Sequence, residues 1–165
     1  MSIGPMRLNH AVLFVAELAR SERFYTEVFG MDVAARESRA DAVFLRLPRS
    51  GNHHDLGLVA VGPSAPPRHR GGIGLYHLAW QVDTIDELER ARTVLSRAGA
   101  YTGESSHGPT KSVYGADPDG NEFEIMWMLP REEWGEGEHT ASVERLDLTA
   151  EVGRWSGVRT AGVIR

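Results

Sequence analysis

The sequence predicts an α+β fold made of two βαβββ modules packed as one domain. Three observations predict it. The order strand, helix, three strands occurs twice, at about residues 7–62 and 73–129. His10 and His77 each stand third in an apolar strand that leads into a helix. Gly51-Asn52 and Gly120-Asn121 each open the last strand of a half. A repeated unit of this size cannot bury its apolar face alone, so the two halves are expected to form a single domain over residues 1–129.

The elements follow in order. Leu8–Val15 is apolar and rich in strand formers, with His10 inside it. Glu17–Gly30 carries Leu18, Phe24, Tyr25, Val28 and Phe29 at helical spacing, and Gly30 suits a helix end. Val33–Ser38 and Ala42–Leu47 read as a hairpin, Pro48–Asn52 as a turn and His54–Val61 as the fourth strand. Residues 62–74 hold three prolines, four glycines and two arginines, the composition of a linker. Leu75–Val82 is the next strand, with His77 inside it. Thr84–Ala98 is a helix opened by a capping box, Thr84 with Glu87, and closed by Gly99. Ala100–Glu104 and Ser112–Gly115 are short strands, and Glu122–Leu129 is the last. It is entered through Asp117-Pro118-Asp119-Gly120, a turn in which Pro118 pre-sets φ and Gly120 takes the later position. Residues 130–165 form a polar extension, with short elements near Val143–Val152 expected to pack on the domain or on a partner subunit.

Composition narrows the function classes. The chain has 165 residues, 41% hydrophobic and 25% charged, an ordinary globular balance. A net charge of −5 argues against a nucleic-acid or anionic-membrane partner. There is no cysteine, so any metal must be held by His, Asp and Glu. Arg7, Asn9 and His10 interrupt the first apolar residues, which do not read as a signal peptide, and no run reaches a membrane span. A cytoplasmic enzyme or binding protein is expected.

The chemistry starts at Glu124. It sits in an apolar strand, where an unpaired carboxylate is costly, so it needs a partner. Alternate strand residues share a face. His10 then goes with Val12 and Phe14, and Glu124 with Glu122, Met126 and Met128, while the opposite apolar faces meet the helices. A lone strand histidine is more often a hydrogen-bonded core residue than a ligand. The matching positions of His10 and His77 in the repeat favour a metal site, with His10, His77 and Glu124 as two imidazoles and one carboxylate. Such a triad leaves positions open on iron(II) for a substrate and O₂. His53-His54-Asp55 opens the fourth strand, and His107 and Tyr114 lie on the approach to the last ones. Near a metal, two histidines and a phenol serve as acid–base groups and hydrogen-bond donors. His69 and His139 receive no role.

With these residues in view, the chain resembles the vicinal oxygen chelate superfamily over about residues 7–129. That group includes glyoxalase I, bleomycin-resistance proteins and the type I extradiol catechol dioxygenases. The fold it implies is one curved mixed-sheet half-barrel. The motifs are most similar to the extradiol, catechol 2,3-dioxygenase type. The resemblance implies metal ligands at His10, His77 and Glu124, the last following Asp-Pro-Asp-Gly-Asn. It implies catalytic roles for His54 in His54-Asp55-Leu56, for His107 in His107-Gly108-Pro109-Thr110, and for Tyr114 ten residues before Glu124. It further implies Fe(II), with Mn(II) or another divalent metal as the alternative, and a small aromatic diol and O₂ as substrates. Two departures stand out. Well-known members have two such domains, and the spacing from His107 to Tyr114 is about two residues shorter here.

Two other readings compete. Aligning the halves on their Gly-Asn pairs sets Asp55 opposite Glu124, which would make Asp55 a fourth ligand, as suits a glyoxalase- or epimerase-type enzyme. A small-molecule-binding resistance protein is the third reading, and those typically lack the metal triad. A homodimer is expected, with Trp134 and Trp155 of the extension available to anchor a contact or to cover the barrel mouth.

Overall fold

The computed structural model describes residues 2–67, 69 and 71–161, so Arg68 and Arg70 of the expected linker lie outside the described residues. The chain divides into two compact units, Met1–Arg68 and His69–Arg165.

The first unit is β1 (Ala11–Val15), α1 (Leu18–Val28), β2 (Asp32–Glu37), β3 (Ala42–Arg46) and β4 (Leu56–Ala60). Its sheet order is β1-β4-β3-β2, with β1 parallel to β4 and the other pairs antiparallel. Leu13 and Val15 are buried while Val12 and Phe14 on the other face are exposed, the expected alternation. The core is completed by Val43 and Leu45 of β3, Leu56 and Leu58 of β4, and Tyr25 of α1.

The second unit repeats this plan with β5 (Leu78–Gln81), α2 (Ile85–Arg97), β6 (Tyr101–Ser106), β7 (Thr110–Ala116) and β8 (Glu122–Met128), in the order β5-β8-β7-β6. One edge strand of each sheet carries a register shift near its start, between Val33 and Ala35 in β2 and between Tyr101 and Gly103 in β6. The capping box of α2 is present. Thr84 accepts from the Glu87 amide at 3.2 Å, and the Glu87 carboxylate accepts from the Asp83 amide at 2.8 Å. Phe123, Ile125 and Trp127 of β8 are buried on the face away from Glu124, where α2 packs.

β1, β4 and β5 are shorter than the sequence suggests, whereas β7 is longer. His10, His77 and the His54-Asp55 pair lie just ahead of β1, β5 and β4 rather than inside them. The ladder of β1 starts where the Ala11 amide donates to the Asp55 carbonyl at 3.1 Å, which leaves the histidine at the mouth of the strand.

The extension packs within the second unit. After two short 3-10 turns, Arg131–Glu133 and Gly135–His139, the chain forms α3 (Leu148–Trp155) against α2. Trp155 packs on the buried Trp127 ring, with centroids 6.2 Å apart, and the Trp134 indole donates to the Leu129 carbonyl at 2.9 Å. Both tryptophans offered by the sequence as subunit anchors are thus engaged inside their own unit. Among the described residues no helix is long and apolar enough to cross a membrane.

Candidate active site

In the first unit the loop before β4 brings His54 against His10, with ring centroids 4.4 Å apart. Asn52 fixes the pair. Its side-chain amide donates to the carbonyls of Asn9 at 2.9 Å and His54 at 2.8 Å, tying the residue before His10 to His54 itself. Partial burial, then repulsion from His10 and His53, push the His54 imidazole below its ordinary value, with Asp55 pulling the other way. The ring is therefore neutral near pH 7 and able to take up a proton. Asp55 turns elsewhere. Its carboxylate accepts from the Leu47 amide and the Ser50 hydroxyl, both at 2.7 Å, and so pins the turn between β3 and β4.

In the second unit Glu124 lies between Ala79 of β5 and Tyr114 of β7. It is buried; one carboxylate oxygen accepts from the Ser112 hydroxyl and the other lies 2.9 Å from His77 Nε2. An imidazole nitrogen and a carboxylate oxygen this close, with no thiolate nearby, suit a first-row divalent cation. The turn before β8 sets this geometry. Asp117 accepts from the amides of Asp119 at 2.9 Å and Asn121 at 2.8 Å, which closes the turn and starts β8 at Glu122.

Beside Glu124 runs a hydrogen-bonded chain. His107 Nε2 is 2.8 Å from the Tyr114 hydroxyl and 2.8 Å from the Ser105 hydroxyl, and those two hydroxyls are 3.1 Å apart. With this spacing the two side chains meet, across a tight turn between β6 and β7 in which the His107 amide donates to the Thr110 carbonyl at 2.8 Å. The concavity above these groups measures about 720 Å³, and Ala79, Met126 and Val143 give it apolar wall.

The sequence-predicted residues thus meet in three pairs: His10 with His54, His77 with Glu124, and His107 with Tyr114. Within neither unit do three His, Asp or Glu side chains stand together as a metal-holding group among the described residues.

The ladders settle which residue of the first module matches Glu124. Ala11, next to His10, pairs with Leu56, and Val12 with Gly57. Leu78, next to His77, pairs with Phe123, and Ala79 with Glu124. Gly57, rather than Asp55, is the equivalent of Glu124. The Gly-Asn alignment is displaced because Asn52 is four residues from Leu56 while Asn121 is two from Phe123. A fourth carboxylate ligand at the equivalent position is absent, since glycine has no side chain.

The family model of the Glyoxalase/Bleomycin resistance protein/Dioxygenase superfamily matches residues 7–125. The chain belongs to this superfamily. Among similar superfamily proteins, a catechol-2,3-dioxygenase of Bacillus subtilis (strain 168) is 30% identical over 145 residues, 86% of this chain and 49% of that protein. This chain therefore spans about half the length of that dioxygenase. A lactoylglutathione lyase of Neisseria meningitidis serogroup A is 29% identical over 124 residues, 73% of this chain and 90% of that protein. A solved glyoxylase/bleomycin resistance protein/dioxygenase domain from Frankia sp. EAN1pec has a TM-score of 0.65 at 22% identity, covering 76% of this chain and 99% of that one, a likeness of fold.

Four further residues contact the sequence-predicted side chains and are not evident from motif reading. Asn52 clamps His54 beside His10, Ser112 holds Glu124, Ser105 joins His107 to Tyr114, and Ser142 contacts His107. Ser112 carries a signal in hindsight. It is two residues before Tyr114 in the same strand, so both face the same way as Glu124.

Proposed function

We propose that this chain catalyses metal-dependent extradiol ring cleavage of a catechol-type aromatic with O₂. His10, His77 and Glu124 are its metal ligands, and Fe(II) is the metal that suits the triad best. The observation that carries the reading is the pairing of His54 with His10 while Asp55 is committed to Leu47 and Ser50 and Gly57 fills the position equivalent to Glu124. A three-ligand set leaves room for a diol and O₂; a fourth carboxylate would favour glyoxalase-type proton transfer.

When bound, Fe(II) supplies the Lewis acidity and electron transfer that let a spin-paired diol react with O₂. The chain's own groups do the rest. Ser112 donates to Glu124, the kind of outer support that orients a ligand. Tyr114 and His107 line the concavity and hold a substrate oxygen by hydrogen bonds. His54, neutral at pH 7, takes up the proton released by the diol or returns it during ring opening. Ala79, Met126 and Val143 offer apolar wall to the aromatic ring and limit water around it. Atoms balance when both oxygens of O₂ enter the product and the carbon–carbon bond beside the diol breaks.

The test is anaerobic loading with Fe(II), then substituted catechols under air. A yellow ring-opened product supports the reading. Absence of product with every catechol, together with turnover of a hemithioacetal by the Zn- or Ni-loaded protein, would replace it with the lyase reading.

A further inference from the structure

His107 is held from behind by chain outside the repeat. Its Nδ1 lies 2.8 Å from the Ser142 carbonyl oxygen. A carbonyl only accepts, so Nδ1 carries the proton. In the neutral ring Nε2 is then the acceptor facing Tyr114 and Ser105. The contact is braced on both sides. Ser106 and Glu144 exchange backbone hydrogen bonds of 2.9 and 2.8 Å, joining the residue before His107 to the extension. Lys111 is buried; its ammonium donates to the Ser106 hydroxyl at 2.8 Å and the Gly108 carbonyl at 3.0 Å, and lies 3.3 Å from Glu151 of α3. Gly137 approaches Pro109 so closely that a Cβ there would fall 2.8 Å from the proline Cδ.

We propose that the 137–144 segment sets the tautomer of His107, with Ser142 as the positioning residue acting through its carbonyl and Gly137 permitting the close approach. Without that acceptor a neutral imidazole carries its proton on either nitrogen, and Nε2–H would donate to the Tyr114 or Ser105 oxygen, leaving no acceptor for the Tyr114 proton. With Nδ1 protonated, a proton can move in one direction. The substrate hydroxyl gives its proton to the Tyr114 oxygen as Tyr114 passes its own to His107 Nε2. One substrate O–H bond breaks, one Nε2–H bond forms, and the resulting imidazolium keeps its Nδ1–H on the Ser142 carbonyl. This step rests on the proposed ring-cleavage reading; the tautomer does not.

Nitrogen-15 NMR of the histidine rings, on the full chain without added metal, reads the tautomer directly. His107 is expected as Nδ1–H. Gly137→Ala should convert it to a mixture, and Pro109→Ala in the same chain should restore Nδ1–H by removing the ring atoms the new methyl strikes. Gly153→Ala, whose Cβ would meet nothing within 4 Å, should leave it unchanged. In Fe-loaded protein, Gly137→Ala should lower kcat about 10-fold or more with KM nearly constant. An Nε2–H tautomer in the unaltered chain overturns the proposal, as does an unchanged Nδ1–H in folded Gly137→Ala. If Gly137→Ala does not fold, the unaltered chain's spectrum decides. A chain that opens no catechol would sink the proposed reaction without touching the tautomer result.

Discussion

Gly57 occupies in the first module the position that Glu124 occupies in the second. The repeat therefore duplicates the histidine but not the carboxylate, and in the proposed site Glu124 would carry the anionic share of metal binding by itself. Glu124→Ala should abolish metal retention while far-ultraviolet circular dichroism stays unchanged. The fold survives because Phe123, Ile125 and Trp127 on the opposite face of β8 carry the packing. Full metal content in Glu124→Ala would refute this ligand assignment.

Ser112 is fully buried and donates to Glu124. Ser112→Ala frees that carboxylate oxygen and lets the side chain turn. Metal affinity should fall by about 10- to 100-fold, the usual effect of removing a ligand's outer partner. Competition with a chelator measures it, and an unchanged affinity would show that Ser112 does not orient Glu124.

The extension is tied to α2 by Asp86, which accepts from the Gly157 amide and the Ser156 hydroxyl at 2.7 Å each. The Gly157 bond first, then Ser156, holds the Asp86 carboxyl below its ordinary value. A carboxyl lowered on folding stabilises fully above its unfolded value, and the contribution is lost as pH falls through the lowered one. The Gly157 amide signal should titrate with a midpoint below that of an exposed aspartate. A midpoint at or above that of an exposed aspartate contradicts the tether.

We predict a homodimer, because symmetric pairs are the commonest oligomers. Light scattering at micromolar concentration should report twice the chain mass. Because Trp155 rests on Trp127 and Trp134 on Leu129, Trp155→Ala and Trp134→Ala should lower the melting temperature without halving the mass. A monomer in the unaltered chain would contradict the dimer.

Much of the architecture is legible in the sequence because its signals are local. Thr84 with Glu87 starts a helix, Asp-Pro-Asp-Gly makes a turn, and alternation in Phe123–Leu129 separates a packed face from a polar one. That His77 and Glu124 come together is legible for the same reason, since one stands just ahead of β5 and the other at a fixed place in β8. Register is not. Two extra residues between Asn52 and Leu56 shift Asp55 away from the Glu124 position, and only the ladder of β1 with β4 reveals Gly57 there. The extension is silent too. Ser142 acts through its backbone, Glu144 through a single bridge, and nothing local in the sequence marks Lys111 as buried beside Glu151.

The most direct measurement compares His54→Ala with Asp55→Ala in Fe-loaded protein, following metal content and catechol-dependent O₂ uptake. His54→Ala should slow uptake by about 10²- to 10⁴-fold with metal retained, as expected for loss of an acid–base group. Asp55→Ala should keep both metal and uptake and lose about 1–3 kcal/mol of stability, because the Leu47 amide and the Ser50 hydroxyl lose their acceptor. If Asp55→Ala instead releases the metal and His54→Ala leaves uptake unchanged, the ring-cleavage account is wrong.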